Sequence, residues 1–269
     1  MTHRIRFLGV LLILLGAVLA LPAPSAAAVC NKNAGSIHQM RYVSHLLNAE
    51  MTYSIYLPSC YAQSTRHYPV IYLLHGSGSD DTHWLQLGLA DTLDMGIRTH
   101  KYPPMVVVLP NGGDSAETNL FDETSWANVF LTELLPHVEQ TYRVSTQASR
   151  RAIGGISRGG FWAYHIALSN PKLFSAVGGH SAVFSPTIAP PQHNPIWLVV
   201  TAKEIDTVRF WLDRSVNDIS GPTMNTVAQS MQQRGLTLEY NVYRTGSHNN
   251  DYWASHLEDY LQFYSAKWH

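Results

Sequence analysis

Val106-Val107-Val108-Leu109 is the clearest of several β-type runs in this chain that are apolar at every position. A strand without a polar face must be covered on both sides, and such strands belong to parallel sheets layered between helices. Comparable runs lie at Thr52–Leu57, Val70–Leu74, Ala152–Ile156, Ala176–Gly179, Val208–Leu212 and Leu238–Tyr243. Helical patterns separate them. Trp126, Val129, Phe130, Leu134 and Val138 recur at three- and four-residue steps and form one apolar stripe. Phe161–Ser169, Thr223–Arg234 and Tyr252–Tyr264 are further helix candidates, the second closed by Gly235. This alternation predicts an α/β fold, a mostly parallel central sheet with helices on both faces. No repeat, low-complexity tract or long linker divides the 269 residues, so one domain over 29–269 is expected.

The first 28 residues stand apart. Arg4 and Arg6 open a basic start, Phe7 to Leu21 form an apolar run, and Ala26-Ala27-Ala28 end it with small residues. That order predicts a secretory signal peptide over 1–28 and a secreted or periplasmic protein with no stable membrane insertion afterwards. The competing reading is an uncleaved anchor, for which the run is short. In an oxidising compartment the only two cysteines, Cys30 and Cys60, can pair, and two free thiols are the alternative. Charged residues make up 14% of the chain and the formal net charge is -1. Nothing in that balance draws nucleic acid or an anionic membrane. The 14 histidines are scattered, with none in a zinc-helix spacing, so neither metal nor cofactor is expected.

Chemistry enters at "AIGGISRGGFW", residues 152–162, where Gly155 and Gly159 bracket Ser157 between a strand and a helix. A G-x-S-x-G turn of this kind exposes a nucleophilic hydroxyl at the sheet edge. Serine needs a base, and the base needs an orienting acid; in this topology both come from loops after late strands. His248 follows the last strand in "TGSHNNDYW" and is the expected base. For the acid, Asp218 in the loop past Val208–Leu212 is preferred to Asp213 at the strand's close. Glu204 or Asp206 replaces them if Asn194–Val200 is the relevant strand. The backbone amides of Ser77, in "LLHGSGSDDTHW" with Gly78 as the alternative, and Arg158 are the expected oxyanion donors. Trp84, Phe161, Trp162, Phe184 and Trp253 lie near these loops and are candidates for an aromatic acyl pocket.

"YLLHGSGSDDTHW", "GGISRGGFWAYHIAL", "GGHS", "RFWLD", "ND" and "GSHNNDYWASHLEDYLQFY" together resemble the esterase D and feruloyl esterase-like branch of the α/β-hydrolases. Enterochelin esterases and mycolyltransferases belong to the same branch. The resemblance implies an α/β-hydrolase fold without a large lid and an acyl-serine mechanism, with Ser157, Asp218 and His248 at the triad positions. It departs from the family in "LDRSVND", where a glycine-containing turn is common before the acid. The expected activity is a serine carboxylic ester hydrolase acting on a small-molecule or carbohydrate-linked ester. An acyltransferase to a sugar hydroxyl and a non-catalytic binding protein on this scaffold are the alternatives.

Overall fold

The computed structural model describes Met1 and residues 34–268. The expected signal peptide over 1–28 and Cys30 lie outside the described residues, while Cys60 is disulfide-bonded. Among the described residues eight strands form one sheet: β1 Ser36–Ser44, β2 Ala49–Leu57, β3 Val70–Leu74, β4 Val106–Pro110, β5 Arg151–Ile156, β6 Ala176–His180, β7 Arg209–Ser215 and β8 Leu238–Tyr243. Their spatial order is β1-β2-β4-β3-β5-β6-β7-β8. β1, β2 and β4 pair antiparallel, and every pair from β4 to β8 is parallel. The helices are α1 His83–Gln86, α2 Leu89–Arg98, α3 Gly113–Glu117, α4 Trp126–Val129, α5 Leu135–Thr141, α6 Arg158–Ser169, α7 Pro195–Thr201, α8 Gly221–Gln233, α9 Asn250–Ser255 and α10 Leu257–Ser265. A π turn, Phe130–Leu134, joins α4 to α5, so the expected apolar stripe is one continuous helical stretch.

The apolar runs are explained by what covers them. Successive strand residues point to opposite faces. Val70, Tyr72 and Leu74 of β3 therefore join one core with Val106 and Val108 of β4, beneath Trp126, Phe161 and Met224. Ile71, Leu73, Val107 and Leu109 join the other, beneath Leu89 and Leu93 of α2 and Tyr260 and Tyr264 of α10. β1 lacks this signature because most of its residues are exposed at the sheet edge. β7 continues past Leu212 through Asp213, Arg214 and Ser215, because each of these polar residues is buried. The terminal helix is broken at His256, whose φ of -113° and ψ of 8° leave helical geometry.

His165 lies inside α6 and donates from Nδ1 to the carbonyl of His193 at 2.7 Å. Burial pushes its pKa down from 6.5 to about 4. As pH falls from about 6.5 to about 4, the unfolded chain takes up a proton that the folded ring refuses. Stability therefore declines across that window and levels off below it, by on the order of 3 kcal/mol from this ring. Thermal melts between pH 7 and pH 4 should show a shallower decline for His165→Phe than for the wild type. Parallel slopes would contradict this.

Candidate active site

Ser157 occupies the turn from β5 into α6 with φ 55° and ψ -115°. A non-glycine residue there is strained and persists only when its surroundings hold it. They do: its amide donates to the carbonyl of His180 at 2.9 Å, and its carbonyl accepts from Val183 at 3.1 Å. The flanking glycines follow from close approach. A Cβ on Gly155 would lie 2.3 Å from the carbonyl carbon of Gly159, and one on Gly159 would lie 2.4 Å from the carbonyl oxygen of His75. Strand, helix and the loop after β3 thus meet where no side chain fits.

The partners come from the far end of the sheet. His248 follows β8, and its Nε2 accepts from Ser157 Oγ at 2.9 Å. Its Nδ1 faces both carboxylate oxygens of Asp218, at 3.1 and 3.2 Å. Asp218 follows β7 and also accepts from the amide and hydroxyl of Ser220, at 2.8 and 2.6 Å. Burial opposes its charge, but hydrogen bonds from His248, Ser220 and Ser181 outweigh that and hold its carboxyl well below the usual carboxylate range. The other acids lie elsewhere. Asp206 is exposed before β7, at the opposite end of the sheet from this site, and Glu204 pairs with Lys172 at 3.0 Å.

Ser157, His248 and Ser77 line one cavity of about 610 Å³, with Gly76, Ser79, His83, Asn249, Asn250, Asp251 and Trp253. Among the described residues the amides of Ser77 and Arg158 donate to no protein acceptor. Arg158 opens α6, so its N–H is one of the helix's unpaired first donors. Its guanidinium turns away to the carbonyls of Ala116 and Thr118 and to Asn119 Oδ1, pinning the segment after β4 beside the elbow. The aromatic pocket expected from the sequence needs correction. Trp84, Phe161, Trp162 and Phe184 are at most 1% exposed and belong to the core. The indole N–H groups of Trp84 and Trp162 are spent on the carbonyls of Leu74 and Ala116. Trp253 alone of the five lines the cavity, its ring edge-on to His248 at 5.2 Å.

Beneath the Ser157 turn lies a second His–Asp pair, whose acid is Asp213, the alternative to Asp218 for the triad position. Asp213 and His180 are fully buried, joined Nδ1 to Oδ1 at 2.7 Å. Asp213 Oδ1 also accepts from Trp211 Nε1 at 2.7 Å, and Oδ2 accepts from the Tyr252 and Tyr260 hydroxyls at 2.7 and 2.8 Å. Burial, then the Asp213 charge, pushes both phenols far up and keeps them as donors. Tyr264 completes the set by donating to His180 Nε2 at 2.9 Å. Its hydroxyl crosses the sheet over Gly154 and Gly178, where a Cβ would come within 1.6 and 2.0 Å of it. The His180 carbonyl holds the Ser157 amide, so this network is the footing of the strained turn. Asp213→Ala strips four donors of their acceptor and should cost about 3–5 kcal/mol in denaturant unfolding. A loss below about 1 kcal/mol would contradict the role.

A strained serine between β5 and α6, facing a histidine and an aspartate from the loops after β8 and β7, identifies the chain as an α/β-hydrolase. Residues 44–264 match the family described as "Putative esterase", and the chain belongs to that family. It is similar to Esterase MT1326 of Mycobacterium tuberculosis, 28% identical over 56% of this chain and 33% of the relative. It is also similar to an endo-1,4-beta-xylanase/feruloyl esterase of Xylanibacter ruminicola, 30% identical over 54% of this chain and 21% of the relative. The chain thus spans a third or less of the length of these relatives. A solved ferulic acid esterase superposes with a TM-score of 0.80 at 25% identity, covering 87% of this chain and 100% of that one.

Proposed function

We propose that the protein is a serine-dependent carboxylic ester hydrolase. His248 Nε2 takes the Ser157 proton as Oγ attacks the ester carbonyl. The Ser77 and Arg158 amides receive the resulting oxyanion. The tetrahedral intermediate collapses, the carbonyl–alkoxy bond breaks, and His248 returns the proton to the leaving alcohol. Water, deprotonated by the same ring, then attacks the acyl-serine and releases the acid. Asp218 keeps His248 in the tautomer with the proton on Nδ1 and stabilises the imidazolium that forms. The observation that carries this reading is the continuous hydrogen-bonded line from Ser157 Oγ through His248 to Asp218, at 2.9 and 3.1 Å.

The favoured substrate is an ester of an aromatic acid with a carbohydrate hydroxyl. Two similar proteins are named as feruloyl or ferulic acid esterases, and the cavity mouth offers Ser79, Asn249 and Asp251 as polar contacts. The basic, apolar and small-residue order over 1–28 supports export. Purified protein should release ferulate from methyl ferulate and feruloylated arabinose, and p-nitrophenol from p-nitrophenyl acetate. Turnover of p-nitrophenyl acetate without either ferulate ester would keep the reaction and overturn the acyl group. Absence of all three activities would overturn the hydrolase reading.

A further inference from the structure

Two buried histidines without a role in that mechanism sit at the loop after β3, His75 at 6% exposure and His83 at 5%. Backbone groups fix their tautomers. An amide N–H can only donate, so the 3.0 Å bond from Gly112 N–H leaves His75 Nε2 without a proton. His75 Nδ1 therefore carries the proton and donates to the Gly76 carbonyl at 2.8 Å. By the same logic Gly76 N–H donates to His83 Nδ1 at 3.3 Å, and His83 Nε2–H donates to Asn250 Oδ1 at 3.0 Å. Gly76 is held at both its N–H and its C=O, and Asn250 opens α9 two residues after His248.

We propose that His83 is a positioning residue of this site. As a neutral imidazole it ties the loop that carries the Ser77 oxyanion donor to the segment that carries His248. The proposal rests on the roles given above to Ser157, His248 and the Ser77 amide. The Gly76 carbonyl and the Ser77 N–H belong to one planar trans unit and point in opposite directions. Anchoring Gly76 through both imidazoles therefore sets where the Ser77 N–H is aimed. His83 borders the cavity but is not a second base, since both its ring nitrogens are engaged. The bridge acts on a donor used only when negative charge develops on the carbonyl oxygen, so its loss falls on kcat rather than KM.

The test compares wild type, His83→Ala, His83→Gln, Asn250→Ala and Ser157→Ala with p-nitrophenyl acetate. It adds the inhibition constant of a phenylboronic acid, which forms a tetrahedral adduct on a serine nucleophile, and a thermal melt of each variant. His83→Ala should lower kcat about 10- to 100-fold and weaken the boronic acid by a similar factor. KM should stay within roughly twofold. His83→Gln, whose amide can accept from Gly76 and donate to Asn250, should regain most of both. Asn250→Ala leaves the His83 packing intact and should move kcat and boronate affinity the same way. A folded His83→Ala with wild-type kcat and boronate affinity would overturn the inference. So would equal losses in both His83 variants that track their melting temperatures. Hydrolysis by Ser157→Ala at the wild-type rate would instead sink the Ser157 reading, separately from anything His83 does.

Discussion

Ser157→Ala should lower kcat for ester hydrolysis about 10⁶-fold, the size of loss seen when the nucleophile of subtilisin is removed. The large figure follows from the geometry. Ser157 Oγ is the atom within 2.9 Å of the His248 base, and it leaves the sheet at the head of a 12-residue helix. Without it His248 can at best activate water, and no acyl-enzyme forms. The fold should survive, because the bonds that hold the turn are made by the Ser157 backbone to His180 and Val183. Alanine tolerates a positive φ about as poorly as serine, so the strain is little changed. Stopped-assay kinetics on a variant whose melting temperature matches wild type would check this. Activity within tenfold of wild type would refute the assignment.

Asp218→Asn should lower kcat about 10⁴-fold, again with the fold retained. The Ser220 amide and hydroxyl both donate to Asp218 Oδ1. In the variant those donors demand the amide oxygen at that position and turn the NH₂ toward His248. His248 Nδ1 must then accept, which places its proton on Nε2, facing Ser157. A ring protonated there cannot take the hydroxyl's proton. A pH–rate profile alongside kcat should show that raising the pH does not restore activity, because the defect is a tautomer rather than a missing deprotonation. Full recovery at alkaline pH would contradict that explanation.

Much of the candidate site is legible in the sequence because its signals are local. The glycines around Ser157 mark a crowding that only a few residues of chain create, and the apolar runs mark doubly covered strands. His248 followed from its place after the last strand. Asp218 and Asp213 are harder to separate by sequence, since the apolar run ends at Leu212 while β7 continues to Ser215. That extension places Asp213 opposite His180 in the sheet register and leaves Asp218 free to reach His248. Buried Asp213 is satisfied by donors at positions 180, 211, 252 and 260, and all but Trp211 lie too far away in sequence to leave a periodic trace. The aromatic residues misled for a related reason. Proximity to the Ser157 turn says nothing of side-chain direction, and Phe161 and Trp162 point into the core from the first two turns of α6. His83 stands within a quoted motif, yet its bridge to Asn250 spans 167 positions and only the fold brings the two together.

Covalent capture decides whether Ser157 carries the acyl group. Intact-mass analysis after incubation with a fluorophosphonate should show one added phosphonyl group per chain. Peptide mapping should place it on Ser157, and prior occupation by a slow ester substrate should block it. A chain that stays unmodified, or one labelled at another residue while Ser157 is untouched, would contradict the account.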